Sequence, residues 1–170
     1  MFKIKELFQY SSKVRRHFLD KLGELPWSEV DENREASHYS MRNIVLHIID
    51  NEDWMVNWVI HNRSTEYKPE RGPEEYTNMQ TIMKYLGEVE KRTKSYLEKA
   101  DEKELRRRVN FVLPSGKAFD LSIEECLFQS FTEQLFHLGE LIALLWQENI
   151  EPPKMQWFWN NPRAPAQAVS

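Results

Sequence analysis

The stretch 122–149, SIEECLFQSFTEQLFHLGELIALLWQEN, constrains this chain more than any other. Ser122 and Glu125 form the S-x-x-E pattern that opens a helix. Leu127, Phe131, Leu135, Leu138, Leu141, Ile142 and Leu145 then recur at three- and four-residue spacing, so the spacing predicts one long amphipathic helix. Glu133 and His137 stand four apart, which sets their β-carbons about 5 to 6 Å from each other on one face. The same line holds Cys126, Ser130, Leu141 and Leu144, which are small or apolar. The pair therefore points inward. A buried carboxylate is costly unless it is paired or binds a metal.

The remaining pattern supplies three more long helices. Apolar residues from Ile4 to Leu22 make a stripe over 2–25, which Gly23 and Pro26 help to end. Residues 27–39 are polar and aperiodic and read as a loop, with Trp27 packed on the helices. Ser40 caps a second helix to about residue 62, on which Ile44, His47, Ile48, Asn51, Trp54, Met55 and Trp58 share a face. Thr77 and Gln80 resemble a capping box for a third helix over 77–100. The period changes to two at 108–121, where Pro114-Ser115-Gly116 separates two short runs, and this reads as a β-hairpin leaning on the helices. The fold class is all-α: a four-helix bundle over 1–150, with a small hairpin before the last long helix. An extended aromatic tail, 151–170, carries Trp157, Phe158 and Trp159, too apolar to leave in water. It should pack on the bundle or on a partner subunit.

Bulk properties narrow the function. The 170 residues suit one domain with a proper core, and a formal net charge of -4 gives no broad pull toward nucleic acid. The short basic runs at 13–16 and 106–108 read as solvated helix faces or ends. No apolar run is long enough to span a bilayer, and charges interrupt the N-terminal segment, so no signal peptide is visible. A soluble cytoplasmic protein is the simplest expectation. Cys126 is the single cysteine and reads as a buried core residue rather than a nucleophile. No glycine-rich phosphate loop, dinucleotide fingerprint, H-E-x-x-H or G-x-S-x-G motif occurs.

Three inward polar residues remain: His47 on the second long helix, and Glu133 with His137 on the last. Two ligands one turn apart with a third from a facing helix can build a metal site inside a bundle. Two imidazoles and a carboxylate suit Zn²⁺ with an open position, and equally suit Fe²⁺ or Ni²⁺. Each residue also has a plainer reading, since a lone apolar-face histidine is commonly a hydrogen-bonded core residue. His61 reads as solvated, and His17 and His38 have no supporting pattern. Asn51, Trp54 and Ser130 are candidates for pocket lining or for simple packing.

The order of elements, with His47 early in one helix and Glu133-Gln-Leu-Phe-His137-Leu-Gly139-Glu140-Leu141 in the last, resembles the DinB/YfiT-like metalloproteins over roughly 2–149. The family's motif looks like H-x-x-H-H-R-G-Q. Aligned on Gly139, its first histidine falls on Glu133 and its second ligand histidine on His137. Leu138 and Glu140 replace its Arg and Gln. The chain is also similar to the mycothiol-dependent maleylpyruvate isomerase branch, which uses a His, Glu, His triad. The resemblance implies that His47, Glu133 and His137 ligate a divalent metal, zinc first and nickel or iron as alternatives. It further implies a low-molecular-weight thiol as cofactor, a small-molecule substrate, and a homodimer. The expected activity is thiol transfer, isomerisation or hydrolysis. The rival reading is a non-catalytic metal-binding or dimeric interaction module, which the aromatic tail favours.

Overall fold

The stripes read from the sequence become four helices: α1 (Ile4–Gly23), α3 (Met41–Asn57), α4 (Met79–Lys99), which the single turn α5 (Glu102–Arg106) follows, and α6 (Ile123–Gln147). The computed structural model describes residues 3–63, 67–69, 72–113 and 115–161. Of the tail read as 151–170, residues 162–170 lie outside them. α6 packs on α1 and α3, and α4 packs on the same two from the other side, so the four close into a bundle. Each helix turns its stripe inward, as Ile44, Ile48, Met55, Leu127, Phe131, Leu138 and Leu141 do.

Helix ends follow local chemistry. The Ser122 hydroxyl accepts from the Glu125 N–H, and the Glu125 carboxylate takes the Ser122 N–H at 2.7 Å, which completes the capping box at α6. At α4 the cap is one residue later than expected: the Asn78 side chain accepts from the Thr81 N–H at 3.0 Å. Asparagine is the stronger N-cap, and it wins over Thr77. The hairpin pairs β1 (Arg108–Val112) with β2 (Ala118–Ser122), Val109 opposite Leu121 and Phe111 opposite Phe119. Val109 is buried and Phe111 meets Trp54 edge to face, so the hairpin rests on the C-terminal end of α3.

The segment expected as a loop over 27–39 begins with a helical turn, α2 (Trp27–Asp31), too short to show a period. It follows Pro26 and buries Val30. A tight turn comes next, in which the Arg34 N–H reaches the Tyr39 carbonyl and the Tyr39 N–H reaches that of Ala36. Tyr39 takes a φ of 69° to close it. In the tail, the Tyr10 hydroxyl donates to the Met155 carbonyl, and a short helix, α7 (Trp157–Asn160), sets the Trp157 ring 5.0 Å from that of Tyr10. Phe158 and Trp159 stay 66% and 46% exposed on this one chain, while Trp157 packs on the bundle through Tyr10.

Two apolar clusters fill the bundle, and a polar layer crosses it between them. Arg15, expected on a solvated face, is fully buried there. Its guanidinium donates to Glu52 at 2.8 Å and to Glu90 at 2.9 Å. Thr93 and Gln134 complete Glu52 at 2.6 and 2.8 Å, and Ser12 and Arg16 complete Glu90. All four long helices contribute. A stray Arg or Glu here would be costly, so the layer fixes how the helices register.

Candidate metal centre

The centre forms where α3 and α6 face each other beside the turn that follows α2. His47 lies in the second turn of α3, and Glu133 and His137 one turn apart in α6. His137 Nε2 is 3.2 Å from Glu133 Oε1, and His47 Nε2 is 4.0 Å from the same oxygen. The His47 and His137 rings are 4.6 Å apart at 77°. The three residues singled out in the sequence are thus brought together with their ligand atoms converging.

A fourth residue, His38, joins them. Its ring nitrogens fall within 4.8 Å of those of His47 and His137. Nothing periodic marked it, because it is held by the tight turn at Tyr39 rather than by a helix. The His38 ring stacks on His47 at 4.1 Å and 21°. His38, His47 and His137 thus form a second possible donor set, which shares its two imidazoles His47 and His137 with the first. His38 forms a wall of the centre.

His137 is clamped at both nitrogens. Its Nδ1 meets Glu140 Oε2 at 2.9 Å, and that oxygen also accepts from the Ser37 hydroxyl at 2.8 Å. A neutral ring has one N–H and cannot serve a carboxylate on each side. If Nδ1 donates to Glu140, then Nε2 points a lone pair at Glu133. A second ring proton or a metal cation between Nε2 and the carboxylate resolves that mismatch. A metal-bound histidine commonly donates its other N–H to a carboxylate in this way. The donor set therefore fits a divalent metal.

The electrostatics agree. Burial, together with the His38 and His137 rings, pushes His47 down to about 4, which keeps it neutral near pH 7 as a ligand must be. Burial and His137 lower His38 as well. Burial works against Glu140, but the hydrogen bonds from His137 and Ser37 hold it below the usual carboxylate range. Burial pushes the Cys126 thiol up to about 11, which suits a core residue.

A cavity of about 920 Å³ opens on His47 and runs beside α3 toward the hairpin. Asn51 and Trp54 line it, whereas Ser130 is fully buried away from it. Asp50 also lines it, and sequence reasoning passed over this residue. Burial raises Asp50 to about 6, while its Oδ1 accepts the Tyr85 hydroxyl at 2.7 Å. It sits three residues past His47, a spacing that could have drawn attention to it.

The sequence profile described as the DinB family matches residues 1–167. The chain belongs to the DinB family. A DinB-like protein from Bacillus cereus ATCC 10987 has a similar solved structure, with a TM-score of 0.69 at 15% identity over 89% of this chain and 94% of that one. A conserved protein from Enterococcus faecalis matches at a TM-score of 0.63 and 15% identity, over 85% and 95%. At that identity the likeness is one of fold. No curated protein matches. Among the described residues of this DinB-family chain, no helix is long and apolar enough to cross a membrane.

Proposed function

We propose that His47, Glu133 and His137 hold a divalent cation and that the chain is a metal-dependent enzyme acting on a small molecule. The observation that carries this reading is the convergence of His47 Nε2, Glu133 Oε1 and His137 Nε2, with the other nitrogen of His137 held by Glu140. Two imidazoles and one carboxylate suit Zn²⁺, and Ni²⁺ and Fe²⁺ share those preferences. A bound cation would favour the ionised form of a water or a low-molecular-weight thiol at its open position. Glu140 and Ser37 fix the tautomer of His137, and His38 walls the centre from solvent. Asp50, raised toward neutrality in the adjoining cavity, is the side chain best placed to hold or release a proton. Thiol transfer, isomerisation and hydrolysis all need those parts. The chemistry would run in the cytoplasm.

The association implied by the family resemblance has a face to use. Phe128, Phe136 and Trp146 stand 56 to 66% exposed along one side of α6, with the small Gly139 and Ala143 between them. A second copy laid on that face would bury them. Sedimentation equilibrium at tens of micromolar should report a dimer, and a monomer would remove this part of the proposal.

Substitution of Co²⁺ tests the centre itself. The loaded protein should show visible ligand-field bands. Adding a small thiol should bring up a near-ultraviolet charge-transfer band as sulfur enters the open position. Bands that ignore both thiol and pH would mark a closed site and favour the rival reading, a non-catalytic metal-binding module.

A further inference from the structure

The cavity beside His47 has chemistry that the metal centre does not use. His47, Asn51 and Trp54 on α3 and Trp58 at its C-terminal cap follow one another at four-, three- and four-residue steps, and all four line the cavity. At 1.5 Å per residue the row is about 16 Å long. Among the described residues, Asp50 is the one acid that lines it, at the end beside His47. The far end carries Arg63, whose guanidinium lies 4.8 Å over the Trp58 ring. Among the described residues, no carboxylate pairs with Arg63. Between the two ends Trp54 and Trp58 on one side and Phe111 and Val112 of the hairpin on the other give the walls their apolar area, with the uncharged polar Asn51, Asn110 and Tyr67 among them.

We propose that this cavity binds a small organic anion lengthwise, with its carboxylate or similar group on Arg63 and its apolar body between Trp54, Trp58 and Phe111. A guanidinium already stacked on an indole gives up little freedom when it meets a carboxylate, and its planar fork suits a bidentate one. Asp50 at the opposite end would repel the same group, so the two charges set one direction of entry. The uncharged end of the ligand is then delivered toward His47. That this ligand is the substrate rests on the metal reading above, whereas its binding does not.

The test is calorimetric titration of the full chain with phenylbutyrate and with its uncharged amide, in zinc-loaded and chelator-treated protein. The parent should bind the acid about tenfold tighter than the amide in both forms. Arg63→Gln should bring the acid to the level of the amide, with an unchanged melting curve because Arg63 is exposed. Trp54→Ala should weaken acid and amide alike. Equal binding of acid and amide by the parent would overturn the proposal, and so would a preference that survives Arg63→Gln or binding that ignores Trp54→Ala. The preference in chelator-treated protein stands or falls independently of whether the histidine centre holds a metal.

Discussion

The bundle holds two polar clusters that share α3 and α6, and they differ in how well their charges are matched. In the layer around Arg15, the guanidinium meets two carboxylates, and each carboxylate receives several donors. It is sealed between apolar clusters, with Arg15, Glu52 and Gln134 fully buried. In the cluster around His137, two carboxylates face one ring, three imidazoles crowd together, and a cavity opens alongside. The first network pairs its charges and holds the helices in register, with only Arg15 Nε and Gln134 Oε1 left without a partner among its described atoms. A mismatched one is complete only when something else arrives. The first is the mark of a structural device, and the second of a functional one.

The largest effect should come from breaking the matched layer. Glu52→Gln leaves Arg15 with half its compensation in a dry interior and should cost about 3 to 5 kcal/mol. Chemical denaturation would measure this, and a cost under about 1 kcal/mol would show the layer to be dispensable. Metal content per folded molecule should stay at the parent's level.

The mismatched cluster should respond the other way. His137→Ala and Glu133→Gln should lose the metal while metal-free stability changes by no more than about 1 kcal/mol, since partly exposed pairs contribute little. Metal analysis and thermal melting of each variant beside the parent would check both halves. A weaker effect is expected from Glu140→Gln, which keeps the ligands but loosens the His137 ring. It should reduce metal affinity about 10- to 100-fold, read by competition with a chromogenic chelator.

The smallest effect concerns Asp50. Its value in the folded chain, about 6, lies above the ordinary 3.8. The folded state therefore holds the proton more tightly, and the contribution to stability is fully present below about pH 4 and lost as the pH rises through 6. Asp50→Asn should raise stability at pH 8 by on the order of 1 kcal/mol, allowing for solvent near the group, and leave it unchanged at pH 4. A gain at pH 4 equal to that at pH 8 would sink this account. Such a carboxyl is kept at a cost to folding, as expected of the mismatched side.

The same contrast explains what could be read from the sequence. Glu133 and His137 were legible because a four-residue step on a strongly apolar helix leaves two polar residues nowhere to hide. His47 was legible for the same reason. The four long helices, the hairpin and the α6 cap were written in local spacing, whereas the single turns α2 and α7 were too short to show one. His38 was not, since a turn closed at Tyr39 by a left-handed backbone leaves no period. Arg15 was misread because it stands in a run with Lys13 and Arg16, and charge runs are normally solvated. Its partners lie 37 and 75 residues away, on other helices. Trp157, Phe158 and Trp159 showed that an aromatic run says something must cover it, without saying how much one chain covers by itself.

One measurement bears most directly on the claim that the mismatched cluster is a metal centre: zinc stoichiometry by elemental analysis after equimolar loading and desalting. The account predicts one ion per chain for the parent and for Glu52→Gln that has been refolded, and near zero for His47→Ala, Glu133→Gln and His137→Ala. Full occupancy in those three variants, or no retained zinc in the parent, would contradict it.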